Sequence, residues 1–455
     1  MIAFLTAPII VAGSVWAEPR VVDLRESPLT LTVGLAAAAA TVGATTVLFH
    51  RVPTAFAIAA FAALPLRVPL EIGGEQANLL VPLYVVIAAG VIAYLLAGRE
   101  ADAMAARAEA PRWSVWLRRA LAATLVLYAI QTSYSDDVAN AIEDTGFFLV
   151  PFAVMAVLLS EVRWTQRLLG RVLIAIATVA VACALVAIAQ HAAGDLFLNP
   201  ELFDSNQLHV YFRVNSIFFD PNILGRYLAL AVTALGAFIA WQRGGRTAFA
   251  VVIVSGVLLV ALAFTYSITS FVALIAGLGA ASLLRWGRRG ALAAGAIGLV
   301  GLVALVAAGG TPTSDIQDYR SIDSGRQSLV GGGVELFENR PIAGYGSGAF
   351  GRAFFEEIEQ ARSAISHSEP ITVAAEQGVI GLALYAALIA AALFTLLGGS
   401  PGVSLARTAV AAGFVAMVVH SLGYAGFLTD PATWALLGLG IALRRGPPDS
   451  TAILS

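Results

Sequence analysis

The 455-residue sequence contains no lysine, a single cysteine and few charged residues of either sign. Because Cys183 is the only thiol, the chain cannot form an internal disulfide or a cysteine-based metal site. Charged residues make up 12% of the sequence, hydrophobic residues make up 59%, and the net charge is -2. The basic tracts with interleaved aromatics that favour nucleic-acid binding are missing. This composition, with a mean hydropathy of +0.83, is typical of a polytopic membrane protein.

Long apolar runs recur along the whole chain. Candidate membrane spans are 1–17, 29–48, 53–70, 79–97, 115–133, 145–160, 168–191, 216–241, 247–264, 270–285, 290–309, 372–397, 405–426 and 432–443. Because a crossing helix needs about 20 apolar residues and several runs are shorter, we expect about 12 to 14 spans. The first run has no basic start, so we interpret it as a span and not as a signal peptide. The predicted fold class is all-α, with one integral membrane domain over 1–455.

Arginines collect in alternate loops between these runs. They occur at 99–119, 163–171, 243–246, 285–289, 407 and 444–445, whereas the intervening loops are acidic or mixed. By the positive-inside rule, the arginine-rich loops and the C-terminus are predicted to be cytoplasmic. The longest polar interruption, 310–371, is therefore predicted to be an extracytoplasmic loop that carries the chemistry.

Two stretches of this polar segment could bind an anion. In DSGR, Arg326 presents a planar guanidinium that suits a diphosphate, and the alternative is a solvated loop charge. In NRPIAGYGSGAF, the spacing of Gly344, Gly346 and Gly348 could turn backbone amides toward one anion. The alternative is a tight turn between two short helices, and without a neighbouring strand the spacing favours the turn.

A histidine stands in the sequence ISHSEP, directly before an apolar run. Neutral imidazole suits a general base there, since its unperturbed pKa of about 6.5 lets it accept a proton near neutrality. Among the five histidines, His367 is the one in the polar segment; a capping or surface hydrogen-bonding role is its alternative.

A second constellation lies in YFRVNSIFFDPNILGRYLALAV, residues 211–232. Asp220 or Asn222 could cap the exposed amides at the start of a helix. The same helix end, with Arg213 just upstream, could instead attract phosphate. Arg226 falls one turn into the predicted span, where a charge is costly, so it should face protein, water or a ligand.

In this order, the stretches resemble the O-antigen ligase and polymerase superfamily, integral membrane glycosyltransferases that use polyprenyl-diphosphate-linked glycans. The matching residues are Arg213, Ser216, Phe218, Pro221 and Asn222; then Ser324, Gly325 and Arg326; then Pro341, Gly344, Gly346, Gly348 and Phe350; then His367; and then Glu376, Gly378 and Gly381.

The resemblance implies a donor diphosphate held by Arg213 and Arg326, with Asn222 and the three loop glycines in support. It also implies that His367 deprotonates an acceptor hydroxyl on a glycan, lipid or protein. Direct displacement at the anomeric carbon would invert its configuration and would need no metal, nucleotide or other cofactor. The expected location is the plasma (inner) membrane of a bacterium.

One position departs from the family pattern. Members often carry Ser-Arg at the outer turn that reads TYSITS here, and Ile268 stands where that arginine would be. Arg226, Arg320 and Arg352 are the candidates to replace it. The superfamily leaves ligase and polymerase activities open. A polar-substrate transporter or flippase is the alternative from another class, and a non-catalytic scaffold is a third.

Overall fold

The computed structural model describes residues 28–72, 75–97, 112–197, 212–241, 244–308, 316–358, 366–398 and 404–445. Its elements are α1 (Pro28–Arg51), α2 (Pro53–Ala63), β1 (Val68–Ile72), β2 (Glu75–Leu79), α3 (Val81–Leu96), α4 (Arg112–Thr132), α5 (Val138–Glu143), a π-helical turn (Asp144–Leu149), α6 (Val150–Glu161), α7 (Gln166–Ala193), α8 (Pro221–Trp241), α9 (Arg246–Phe264), α10 (Ile268–Ala308), α11 (Ile316–Asn339), α12 (Phe350–Ile358), α13 (Glu369–Leu397), α14 (Leu405–Ser421) and α15 (Pro431–Arg445).

The architecture is helical, as the apolar runs predicted. Eight described helices are long and apolar enough to cross a membrane, and α2, α3 and α14 are shorter apolar helices. Helices suit this setting because each satisfies its own backbone hydrogen bonds away from water. The described helices thus support a multi-pass membrane protein and supply eight of the roughly 12 to 14 spans expected of the whole chain. The predicted first span, 1–17, lies outside the described residues.

The predicted span 53–70 is wrong in its second half. Helix α2 ends at Ala63, and β1 pairs antiparallel with β2 from Val68 opposite Leu79 to Ile72 opposite Glu75. Pro65 lacks the amide hydrogen that a continuing helix would need. The amide of Leu66 instead donates to the carbonyl of Ala63 at 3.1 Å and closes the helix with a turn.

The predicted spans 270–285 and 290–309 correspond to the two arms of α10. Gly287 interrupts this helix at φ 74° and ψ -163°, a conformation that suits glycine. A Cβ on Gly298 would lie 2.6 Å from Cγ1 of Ile275. The second arm therefore packs beside the first, and the chain reverses at the glycine.

The helices place two chemically different ends on the bundle. The site end contains the end of α7, the α9–α10 turn and the starts of α8, α13 and α15. The arginine end, opposite, contains the start of α7 and the turn at Gly287. There Arg407 donates to the carbonyl of Gly398 at 3.1 Å and Arg444 to that of Phe394 at 3.4 Å, so both cations cap the end of α13.

Candidate functional site

Asp220 organises the start of α8 at the site end. Its Oδ1 accepts from the backbone amide of Asn222 at 2.5 Å and from Nδ2 of the same residue at 2.9 Å. Arg213 donates from Nη2 to Oδ1 of Asn222 at 3.3 Å and from Nε to the carbonyl of Thr265 at 2.9 Å. Arg213 is thus fixed between the start of α8 and the end of α9. Asp220 caps α8, and Asn222 connects Asp220 to Arg213.

A buried hydroxyl network continues from Asn222 into the bundle. Ser267 Oγ donates to Oδ1 of Asn222 at 2.7 Å and lies 2.8 Å from Ser270 Oγ, which lies 3.1 Å from Nε2 of His420. Ile268 is 52% exposed, so its side chain lies outside this network. The TYSITS turn therefore contributes two serines to the site where a family arginine was expected.

Arg226 faces protein inside the bundle and is 5% exposed. Its Nη2 lies 2.8 Å from Oδ2 of Asp430, and its Nη1 donates to the carbonyl of Gly426 at 3.2 Å. A buried arginine needs such a partner, because removing two charges from water is costly unless they pair. The pair joins α8 to the segment 422–430 between α14 and α15.

His367 adopts a left-handed backbone conformation with φ 55°. Such a conformation is uncommon for a non-glycine residue and persists only when its surroundings impose it. The flanking serines do so: Ser366 Oγ donates to the carbonyl of Ser368 at 2.7 Å and accepts from its amide at 3.0 Å. Ser366 Oγ also lies 2.5 Å from Oγ1 of Thr372. The hydrogen bonds of Ser366 therefore fix the backbone on both sides of His367 and so orient its imidazole.

Glu369 holds segment 422–430 beside the histidine. Its Oε2 accepts from the amide of Gly426 at 2.6 Å and from that of Phe427 at 3.1 Å, and the residue is buried. The acid of SHSEP thus fixes a loop that is distant in sequence.

Tyr424, in that loop, is the residue on which the two predicted stretches converge. Its ring centroid lies 6.0 Å from the ring of His367, 5.9 Å from that of His420 and 5.8 Å from the Arg226 guanidinium carbon. Burial raises the pKa of Tyr424, with the Asp220 charge as the next cause, so the phenol stays protonated beside Asp220. No local motif around position 424 identified this residue.

Arg67, between α2 and β1, is a second residue that the motifs did not reveal. It lines a small space together with Arg226 and Asp430, and its guanidinium carbon lies 5.3 Å from the centroid of the Phe218 ring. Burial lowers the pKa of Arg67; Asp430 opposes this and Arg226 adds to it. A second guanidinium therefore lies near the buried Arg226–Asp430 pair, beside a residue of the R-x-x-S-x-F motif.

The glycine loop, 340–350, has the geometry of a turn. The amides of Gly344, Tyr345 and Gly346 donate to the carbonyls of Arg340, Ala375 and Glu376. A Cβ on Gly346 would lie 2.3 Å from Cα of Ser135, and one on Gly344 would lie 2.3 Å from the Glu376 backbone. These amides are committed to protein carbonyls, and the glycines allow the loop to pack closely on α13 and on the turn after α4.

Two other motif residues anchor the same loop. Glu376 accepts the amide of Phe350 at 3.1 Å, and the carbonyl of Gly348 accepts from Asn140 at 2.7 Å. At Gly378, φ is 63° and α13 is interrupted, which leaves the Val379 amide to donate to the carbonyl of Pro341 at 2.8 Å. The E-x-G-x-x-G sequence thus places a break in the helix where the loop docks.

The remaining predicted arginines lie on α11 and α12. Arg320 and Arg326 lie on α11, and their side chains lie outside the described part of the chain. Arg352 is 55% exposed and pairs with Glu356 at 2.9 Å on the surface of α12. Exposed pairs of this kind contribute little to stability. Among the described residues, no three His, Cys, Asp or Glu side chains form a group suited to a metal ion.

Residues 253–386 match the O-antigen ligase family. The match covers less than a third of the chain, so this segment is similar to the O-antigen ligases. The match confirms the resemblance predicted from the motifs and spans the TYSITS turn, α11, the glycine loop and His367. The R-x-x-S-x-F-x-x-P-N motif precedes the matched segment, to which Arg213 is linked by its hydrogen bond to the carbonyl of Thr265. No curated protein matches the chain.

Proposed function

We propose that the protein is an O-antigen ligase-like membrane glycosyltransferase that moves a glycan from a polyprenyl diphosphate carrier to an acceptor hydroxyl. The observation that carries the proposal is that the His367 ring and the Arg226 guanidinium both lie about 6 Å from the ring of Tyr424: 6.0 Å and 5.8 Å. A candidate base and a buried arginine, distant in sequence, are thereby brought to one end of the bundle. The O-antigen ligase match over 253–386 supports the same class of reaction.

The proposed chemistry assigns one role to each group. His367 takes the proton of the acceptor hydroxyl, whose oxygen then forms a bond to the anomeric carbon. The bond from that carbon to the diphosphate oxygen breaks, and the diphosphate leaves on its polyprenyl carrier. Arg213 and Arg326 stabilise the departing negative charge. Arg226 positions Tyr424, and Asp430 neutralises part of the charge of Arg226. Attack opposite the leaving group inverts the anomeric configuration.

The proposed location of this chemistry is the extracytoplasmic face of a bacterial plasma membrane. The site end is bounded by acidic or mixed loops, and the arginines gather at the other end, which the positive-inside rule assigns to the cytoplasm. The segment 310–371, with α11, α12 and the glycine loop, forms part of the catalytic region in this proposal. The polyprenyl tail would remain in the bilayer while its headgroup reaches the site.

Glycan transfer by purified protein in proteoliposomes tests the proposal, with a polyprenyl-diphosphate-linked glycan as donor. Removing a general base typically costs about 10²- to 10⁴-fold in rate. We expect that loss for His367→Ala, and a rise in donor KM for Arg213→Ala. The matched control is His50→Ala, an exposed histidine at the arginine end.

The products separate the outcomes. Transfer of one preformed block to the acceptor indicates ligase activity, whereas a ladder on a second carrier lipid indicates a polymerase. Full activity of His367→Ala would remove the assigned base. A folded wild-type protein that binds the donor, transfers nothing and moves it across the membrane would replace the enzyme proposal with a flippase.

A further inference from the structure

A cavity of about 390 Å³ lies at the arginine end, among α2, α7, α8, α14 and α15. Its walls are apolar and include Phe61, Leu173, Phe238, Val410 and Leu439. The volume falls within the range of about 300–1,000 Å³ that is usual for small-molecule sites. An apolar space of this size between membrane helices has the dimensions and surface for a hydrocarbon chain.

Two arginines of α7, Arg167 and Arg171, line the same cavity and are exposed to the outside. Being four residues apart on one helix, they lie on the same face, one turn from each other. No Asp or Glu is among the described residues that line the cavity. The rim is therefore cationic while the interior is apolar.

The cavity is far from the proposed catalytic site. Helix α7 runs from Arg167 at the cavity to Gln190, which contacts Asn215 and Ser216 at the site end. At 1.5 Å per residue, this span is about 35 Å, close to the thickness of the hydrocarbon core of a bilayer. An occupant of the cavity would come from the opposite leaflet to the one that meets His367.

We propose that this cavity binds an anionic phospholipid, with an acyl chain between the helices and the headgroup phosphate on Arg167 and Arg171. Charge complementarity argues for the anionic headgroup, since basic pockets between membrane helices recognise such lipids. The apolar walls argue for a lipid, because a free anion would make no contact with them. This site is separate from the catalytic proposal and holds whether or not glycan transfer is the reaction.

Native mass spectrometry of delipidated full-length protein in detergent tests the site. The probes are dioleoylphosphatidylglycerol, dioleoylphosphatidylcholine and inorganic phosphate. We expect preferential binding of phosphatidylglycerol. About fivefold weaker binding is expected for Arg167→Ala or Arg171→Ala alone, and roughly 30-fold for both, from the usual contribution of a basic residue near an anionic membrane surface. Arg163→Ala, an exposed arginine outside the cavity lining, is the matched control.

The apolar half has its own test. Ala409→Phe fills part of the cavity and is expected to weaken phosphatidylglycerol binding at least tenfold, whereas Ala39→Phe on the exposed face of α1 leaves it unchanged. Competition by inorganic phosphate, or equal binding of both lipids, overturns the proposal. So does unchanged binding in the double arginine variant. Should Ala409→Phe fail to fold, the paired Arg167→Gln and Arg171→Gln substitutions decide the matter alone.

Discussion

At the residue scale, Tyr424 links the two halves of the candidate site. Its hydroxyl is protonated beside Asp220, which fixes Asn222 and hence Arg213, while its ring lies beside His367. These are separate functions of one side chain. The hydroxyl supports the predicted diphosphate-binding side, and the ring supports the predicted base.

Substitution of Tyr424 should separate these functions. Tyr424→Phe keeps the ring but removes the hydroxyl beside the half-buried Asp220 carboxylate, and losing one polar interaction of this kind costs about 0.5–1.5 kcal/mol. We expect a raised donor KM with kcat changed less than about threefold, since the ring still supports the base. Tyr424→Ala should also lower kcat, by about tenfold or more. Steady-state transfer kinetics provide the test.

The control is Tyr94→Phe, a tyrosine that lines a cavity near the arginine end. Equal losses of kcat in Tyr424→Phe and Tyr424→Ala would contradict the division between hydroxyl and ring. A melting temperature measured for each variant separates loss of fold from loss of positioning, because a purely structural residue would not change KM and kcat independently.

The residues found from sequence and those missed differ in how their contacts arise. Arg213, Asn222 and His367 stand in short motifs whose spacing is local, so the sequence could locate them. Tyr424 and Arg67 meet the site only after helices distant in sequence have packed. No spacing rule within one segment could have predicted those contacts.

At the element scale, the glycine loop holds three parts of the fold together. It joins the start of α12 to the break in α13 and to the turn after α4, through amides and carbonyls that the glycines bring into close approach. The sequence favoured a turn here, and the geometry agrees. What the sequence could not predict is the surface against which the loop packs.

Gly346→Ala should therefore destabilise the protein. The residue has φ 95°, and an added Cβ would lie 2.3 Å from Cα of Ser135, a backbone atom that cannot move aside alone. The left-handed conformation costs a non-glycine residue about 1–2 kcal/mol, and the clash adds to this. We expect a melting temperature lower by several degrees in detergent, and reduced transfer because α13 carries Glu369 beside His367.

The matched control is Gly43→Ala in the exposed helix α1, where an added Cβ meets nothing within 4 Å. Alanine is favoured over glycine in a helix by about 1 kcal/mol, so this variant should melt at the same or a higher temperature. Equal melting temperatures for the two alanine variants would show that close packing of the glycine loop makes no measurable contribution to stability.

At the scale of the whole molecule, the two ends of the bundle imply one orientation in the membrane. Charged residues are expensive within the hydrocarbon, so they gather at helix ends, and arginine is retained on the cytoplasmic side. The helices alternate in direction from α6 to α9 and from α13 to α15. Their order therefore carries the described arginines at 163–171, 285–289, 407 and 444–445 to the same end, and the predicted orientation rests on this arrangement.

Thiol labelling should establish this orientation. Cys183 is buried and contacts Ser216 through its carbonyl, so Cys183→Ala keeps that bond and provides a background without cysteine. Single cysteines are then placed at Glu357 on α12 and at Arg163 before α7, both exposed and on opposite sides in the proposal. A membrane-impermeant maleimide added to intact cells, or to cells whose outer membrane alone is permeabilised, should label position 357 and spare 163. Labelling of both after full permeabilisation is the control for reactivity, and labelling of 163 alone would reverse the orientation and place His367 on the cytoplasmic side.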